Sequence, residues 1–105
     1  MSPTTVTVFA VLDDEPRALS RMLVRCPSRG WSRVSLRAVS DGARCEVSMR
    51  LKVPGDRRGS EAHVRAQLER LVEVQQVTVA ALEGVPDGVA FAAVRRKAPW
   101  MPSAA

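Results

Sequence analysis

The sequence is poor in the residues that usually carry chemistry. It has no asparagine and no tyrosine, one histidine, two cysteines, two phenylalanines and two tryptophans. A metal site or a nucleophile–base pair needs more partners than the single His63 supplies. Cys26 and Cys45 lie far apart and form no CxxC pair, so both fit the role of reduced, small apolar side chains. We therefore predict a chain that is not an enzyme and that binds no metal or cofactor.

Long apolar runs are also absent. No stretch of about 18 consecutive apolar residues is present, which argues against a transmembrane helix. Residues 1–5 lack the basic start and apolar stretch of a signal peptide. These two features predict a cytoplasmic protein without a membrane partner.

The charge balance is positive, at +5, and comes mostly from arginine. A basic chain raises the question of nucleic-acid binding. The arginines are spread over every segment, however, and the aromatic residues that would stack on bases are few. Nucleic-acid binding is therefore the less favoured alternative, and an arginine-rich solvated surface explains the charge equally simply.

The first half of the chain predicts a strand, a helix and a second strand. "TVTVFAVLD" (5–13) is apolar on both faces, as in a central strand. An acidic corner with Pro16 then suits a helix N-terminus. The apolar stripe of that helix follows at helical spacing, in Leu19, Met22, Leu23 and Cys26. Pro27 should end it near Cys26. "WSRVSLRAVS" (31–40) alternates, with Val34, Leu36 and Ala38 on one face and Arg33, Ser35 and Arg37 on the other.

The second half predicts a hairpin, a helix and a last strand. Asp41-Gly42 is typical of a tight hairpin turn. "RCEVSMRLKV" (44–53) alternates cleanly between apolar and polar residues. Ser60 is a candidate helix N-cap, and Glu61 is spaced to pair with Arg65. The apolar stripe of this second helix comprises Val64, Leu68, Leu71 and Val72. "VQQVTVAAL" (74–82) reads as the final strand.

This order, β-α-β-β-α-β, predicts a ferredoxin-like α+β sandwich, with a four-stranded antiparallel sheet and two helices on one face. We assign residues 1–83 to this domain and residues 84–105 to a C-terminal extension, partly flexible. A short strand or helix is possible at 89–94. From Arg95 onward the extension is expected to be a tail.

Several functions of this fold do not fit the sequence. A metal chaperone would need paired cysteines where the first loop reads "DDEP", and an RNA-recognition module would need aromatics in "CEVSMRLKV". Three stretches instead resemble the ACT domain: "VLDDEPRALSRML", "RGWSRVSL" and "QLERLVEVQQVTV". The third is similar to Gln-Leu-x-Lys-Leu-Val-Asp-Val-x-x-Val of the small subunit of acetolactate synthase. The length suits the short form of that family.

The resemblance implies a regulatory role. Two chains would pair side by side into one sheet, and the dimer would bind and activate the catalytic subunit of acetolactate synthase. That subunit would supply its own thiamine diphosphate, flavin and magnesium. Valine or another branched-chain amino acid would lie between the first corner of one chain and the second strand of its mate. The corresponding effector-binding positions are Asp14, Arg17, Ala18, Leu19, Gly30, Ser32, Arg33 and Val34. The interface positions are Trp31, Arg33, Ser35 and Arg37.

Two positions depart from the family pattern. Arg17 stands where the family has glycine, and Ser32 where it has asparagine. The departures weaken the case for valine feedback, and the acidic corner is also explained as helix capping. The remaining alternatives are a free-standing amino-acid sensor for another enzyme and, for Trp31, simple packing in place of an interface. A predicted basic sheet face, solvated or docked on an acidic surface, comprises Arg33, Arg37, Arg44, Arg50 and Lys52.

Overall fold

The computed structural model describes residues 4–13, 16–28, 30–40, 42–55, 60–71, 74–82 and 84–97, without the side chains of residues 16 and 25–28. Four strands and three helices lie in these ranges. In chain order they are β1 (Thr4–Asp13), α1 (Pro16–Ser28), β2 (Ser32–Ser40), β3 (Arg44–Val53), α2 (Glu61–Glu69), β4 (Val74–Ala80) and α3 (Asp87–Lys97). The predicted elements are present, and α3 is added to them.

The strands form one antiparallel sheet in the order β2-β3-β1-β4. This confirms a small α+β fold and is consistent with a ferredoxin-like arrangement. The central position of β1 explains its apolar sequence, because a strand with two neighbours and a covered sheet surface on each side has little contact with water. The predicted hairpin turn lies between β2 and β3. Asp41 is outside the described residues, and Gly42 has a φ of +91°, a conformation that glycine adopts without strain.

The main core lies on one side of the sheet, which we call the front face. It is the face onto which Val6, Val8, Ala10 and Leu12 of β1 project, together with the alternate residues of β3 from Val47 to Val53. Helices α1 and α2 pack on it through apolar stripes that match the predicted ones in part. In α1, Ala18 is buried although it was not predicted, and Leu19 and Leu23 are only partly buried. The buried members from these two helices are Ala18, Met22, Val64 and Leu68. Val72, also predicted in the α2 stripe, is outside the described residues.

The opposite side of the sheet, the back face, is partly covered by α3. Phe9 and Val11 of β1 and Ala80 of β4 pack there with Val94 of α3 in a second buried cluster. The expected sandwich with helices on one face is therefore incomplete, because a third helix lies on the other face. The expectation of a tail from Arg95 onward is wrong for residues 95–97, which belong to α3. Residues 98–105 lie outside the described part of the chain.

The predicted basic sheet face requires a correction at Arg50. Its side chain is buried, with the residue 8% exposed, because the segment leading into α3 covers it. The guanidinium donates hydrogen bonds to the carbonyl oxygens of Leu82 and Val85 and forms an ion pair with Asp87 at 3.2 Å. Burying a charge is costly unless it is paired and hydrogen-bonded, and these partners reduce that cost at the two terminal nitrogens, whereas the buried Nε has no partner among the described residues. Arg50 therefore holds the C-terminal segment against the sheet.

A second correction concerns the alternation of β2. The register shifts between Arg33 and Ser35, as at a β-bulge, so that Arg33 is opposite Leu51 whereas Ser35 is opposite Arg50. Residues directly opposite in an antiparallel pair project to the same face. Arg33 is thus on the front face, with Leu36 and Ala38, and not with Ser35 and Arg37 as strict alternation predicts. One inserted residue in a strand reverses the sheet face onto which the preceding side chains project.

The N-cap of α2 is the predicted one, but the ion pair predicted within the helix is not formed. The hydroxyl of Ser60 accepts a hydrogen bond from the backbone N–H of His63 at 3.2 Å, which confirms the N-cap. Glu61 accepts from the backbone N–H of Ala81, and Arg65 pairs with Glu69 at 3.3 Å, so the expected Glu61–Arg65 pair is wrong. Among the described helices, none has the length and apolar character that crossing a membrane requires.

Candidate functional site

The first group of predicted effector positions lies at the β1–α1 corner. Asp13 ends β1 on the surface, where its carboxylate accepts a hydrogen bond from the side-chain amide of Gln75. Arg17 is exposed in the first turn of α1, whereas Ala18 is buried and Leu19 packs partly against the main core. Of the four corner positions, Arg17 is thus the described one that is open to a ligand. Asp14, the predicted acidic contact, is outside the described residues.

The second group lies where the chain enters β2. Gly30 adopts a φ of +77° in the turn before the strand, a conformation that glycine takes without strain. Trp31 is 2% exposed and belongs to the main core. This location fits the alternative in which Trp31 serves simple packing and not an interface. Ser32, Arg33 and Val34 are exposed at the start of the strand.

Within one chain the two groups lie at opposite ends of the sheet. In the strand register, Asp13 of β1 lies opposite Arg44 of β3 at one end of the sheet. At the other end, Lys52 of β3 lies opposite both Ser32 of β2 and Thr5 of β1. Thr5 and Asp13 are eight residues apart along β1, roughly 27 Å at about 3.4 Å per residue. A single chain therefore does not bring the corner positions and the Gly30–Val34 positions into contact with one small ligand.

Strand β2 combines two features, whereas β4, the other edge strand of the sheet, has only the first of them. β2 is an edge strand, since it pairs with β3 on one side and with no strand of the described chain on the other. It also carries exposed apolar side chains on both faces: Leu36 on the front face and Val39, opposite Glu46, on the back face. Val34, at the bulge, is 52% exposed. An edge with unpaired backbone groups and apolar neighbours is a template for pairing with another chain.

Helix α3 has no predicted role, although the sequence contains signals for a helix at these residues. Asp87 stands in the first turn and the basic residues Arg95, Arg96 and Lys97 in the last turn, as the helix dipole favours. Ala90 and Val94 have the i, i+4 spacing of a buried stripe. The glycines and prolines around this segment obscured the pattern, because they are typical of loops.

Ligands for a metal ion do not converge in the part of the chain that the structure describes. No three side chains from histidine, cysteine, aspartate or glutamate lie close enough there to hold one.

Comparison with known proteins gives a likeness of fold. No family model matches the sequence, and no curated protein matches it. Among solved structures, the chain is similar to the solution structure of the C-terminal domain of the MgtC protein from Mycobacterium tuberculosis. The TM-score is 0.62 at 14% sequence identity, over 81% of this chain and 94% of that chain. At this identity the likeness defines an α+β fold class and carries no function with it.

Proposed function

We propose that this chain is a non-catalytic regulatory module that pairs with a second copy of itself through β2. The observation that carries the proposal is the exposed edge of β2, with Leu36 and Val39 open to solvent on its two faces. Pairing of two β2 strands would satisfy their outer backbone groups and cover these apolar side chains at once. Arg33 and Arg37, exposed on opposite faces of β2, keep the isolated edge hydrated.

An antiparallel pair would also complete the predicted effector site. Such pairing places the beginning of one β2 beside the end of the other. The Ser32 end of the partner strand would then lie at the Ser40 end of the first chain, which is the end where β1 meets α1. The two groups of positions that one chain holds roughly 27 Å apart would approach each other across the seam. This arrangement supports a ligand site that exists in the dimer alone.

The test of pairing is the mass of the protein in solution. For the natural chain, sedimentation equilibrium is expected to give twice the mass of one chain. Leu36→Lys places a charge in the seam and is expected to shift the mass toward one chain. The control is Val89→Lys, at an exposed valine of α3 that is 56% accessible and far from β2 in sequence, which should leave the mass unchanged. A single-chain mass for the natural protein would overturn the proposal.

The resemblance of "QLERLVEVQQVTV" to the acetolactate synthase small subunit supports that enzyme as the one regulated. We propose that the dimer binds the catalytic subunit and shifts it toward an active arrangement. A coupling of about 1 to 3 kcal/mol, or 5- to 150-fold, is typical of such regulation.

The experiment is acetolactate formation by the catalytic subunit, with and without this chain and with and without valine. Stimulation that valine leaves unchanged supports a regulatory subunit whose effector site is altered at Arg17 and Ser32. Stimulation that valine reverses supports a working amino-acid site. With no stimulation and no co-elution, the acetolactate assignment fails and a free-standing sensor of another enzyme replaces it.

A further inference from the structure

The back face of the sheet carries a cleft that none of the predicted site residues except Arg37 contributes to. Helix α3 packs over β1 and β4 through Phe9, Val11, Ala80 and Val94, and so leaves the β2–β3 half of this face open beside it. The cleft between the helix and these strands has a volume of about 410 Å³, in the range of small-molecule sites. Its lining residues are Arg37, Val39, Glu46, Ser48, Gly88, Phe91, Ala92 and Arg95.

Helix α3 presents a separate side to this cleft. Ala90 and Val94, at i and i+4, are its buried residues against the sheet. Gly88, Phe91, Ala92 and Arg95, at i, i+3, i+4 and i+7, form a second stripe along the helix. Nothing lies within 4 Å of the position that a Cβ of Gly88 would take. The wall of the cleft is therefore a continuous helical surface with an apolar centre and a cation at one end.

The floor of the cleft comes from two paired strands. Arg37 is opposite Ser48, and Val39 is opposite Glu46, so that all four side chains project to the back face. Arg95 reaches the floor from α3, with its Nε 2.9 Å from Oε1 of Glu46. Its guanidinium carbon is also 6.0 Å from the ring centroid of Phe9. Arg95 balances the charge of Glu46, and Arg37 is then the excess positive charge of the cleft.

We propose that this cleft binds a small organic monocarboxylate. Arg37 receives the carboxylate, because its planar guanidinium donates two parallel hydrogen bonds to such a group. The hydroxyl of Ser48, opposite Arg37 on β3, donates a further hydrogen bond to it. The apolar body of the ligand lies against Phe91, Ala92 and Val39. This site goes beyond the regulatory function proposed above. All of its lining residues belong to one chain, and it shares Arg37 and Val39 with the β2 edge that is proposed to pair.

The test uses the full chain, labelled with ¹⁵N, and two probes of the same shape. The probes are 3-phenylpropanoate and its neutral amide, 3-phenylpropanamide. The carboxylate is expected to shift the backbone amide signals of Val39, Ser48 and Ala92 in a saturable way. It should bind at least about fivefold more tightly than the neutral probe, because charge-assisted hydrogen bonds are roughly twice as strong as neutral ones.

Three variants assign the binding to the cleft. Arg37→Gln should weaken the carboxylate probe by at least about fivefold and leave the neutral probe nearly unchanged. Arg70→Gln is the matched control, since it removes the same charge from an exposed arginine at the C-cap of α2, outside the cleft. Ala92→Leu fills the cleft with a good helix former and should weaken both probes.

Three results would overturn the proposal. Equal affinity for the two probes would show that the carboxylate charge does not contribute to binding. Equal weakening by Arg37→Gln and Arg70→Gln would mean a diffuse attraction to a basic chain. The absence of saturable shifts at Val39, Ser48 and Ala92 would mean that the cleft is empty of such ligands.

Discussion

Arg50 has a different environment from the other cations of its strand. Lys52, two residues along on the same face of β3, is exposed, whereas Arg50 is covered by the segment that leads into α3. The guanidinium has several donors in a fixed plane, and two backbone carbonyls and one carboxylate of residues 82–87 accept from it. A lysine has a single ammonium and does not reproduce this fork.

We predict that Arg50→Met lowers the free energy of unfolding by about 2 to 3 kcal/mol, because the carbonyls of Leu82 and Val85 lose charge-assisted bonds while the segment stays close to the sheet. Asp87 contributes less to this loss, since its side chain is 49% exposed. Chemical denaturation measures the change. Hydrogen exchange should become faster along α3 before it does in β1.

Lys52→Met is the control for this substitution, with an expected change within about 0.5 kcal/mol. Equal effects of the two substitutions would mean that Arg50 does not tether the C-terminal segment. The same conclusion would follow if Arg50→Met left the protection of α3 unaltered.

At the scale of the element, α2 depends on its cap more than on its length. It has nine residues, and isolated helices shorter than about 12 to 15 residues are marginal in water. Two contacts compensate at its N-terminus: the Ser60 hydroxyl accepts from His63, and the Glu61 carboxylate accepts from Ala81 at the end of β4. Val64 and Leu68 then bury the helix against the front face.

We predict that Ser60→Ala lowers the free energy of unfolding by about 1 kcal/mol, whereas Ser60→Gly costs only a few tenths, because glycine leaves the N-cap open to water and alanine does not. Thermal and chemical denaturation of the two variants provide the comparison. An alanine variant as stable as the natural protein would show that the hydroxyl is not the capping group.

In β2, the register shift decides on which face of the sheet each arginine lies. Its sequence alternation predicts a strand, and the structure has one. The shift between Arg33 and Ser35 then separates two arginines that alternation places together. Arg37 is left in the back-face cleft, and Arg33 is on the front face beside Leu36. The cleft therefore receives one arginine of β2 in place of two.

Across the whole molecule, the residues that the structure describes form two apolar clusters, one on each face of the sheet. The front cluster uses most of the buried residues, and the back cluster depends on a single helix that adds Val94 to Phe9, Val11 and Ala80. Burial on both faces explains why β1 lacks the alternation of apolar and polar residues that β3 displays. The C-terminal helix is therefore part of the folded unit and not an appendage to it.

We predict that Val94→Ala lowers the free energy of unfolding by about 1.5 to 3 kcal/mol, from the lost burial of its methyl groups and the cavity that remains. Val89→Ala, at an exposed position of the same helix, should change it by less than about 0.5 kcal/mol. Chemical denaturation of both variants measures the difference. Comparable effects would mean that α3 does not form a core with the back face.

The sequence by itself determined the four strands, helices α1 and α2 and most of the main core. Periodicities of two and of about 3.6 residues fixed which side chains of β1, β3, α1 and α2 face inward, because these patterns follow from local backbone geometry. The cap at Ser60 was predictable for the same reason, since its partners lie within three residues.

Only the tertiary structure decided which partners the remaining polar residues have and which of them line the cleft. The partners of Arg50 are more than 30 residues away in sequence, and the cleft joins residues of β2, β3 and α3. The separation of the corner from the start of β2 likewise depends on strand register, which no local pattern reports. Contacts between distant segments are set by packing and pairing in three dimensions, and these positions acquire their roles there.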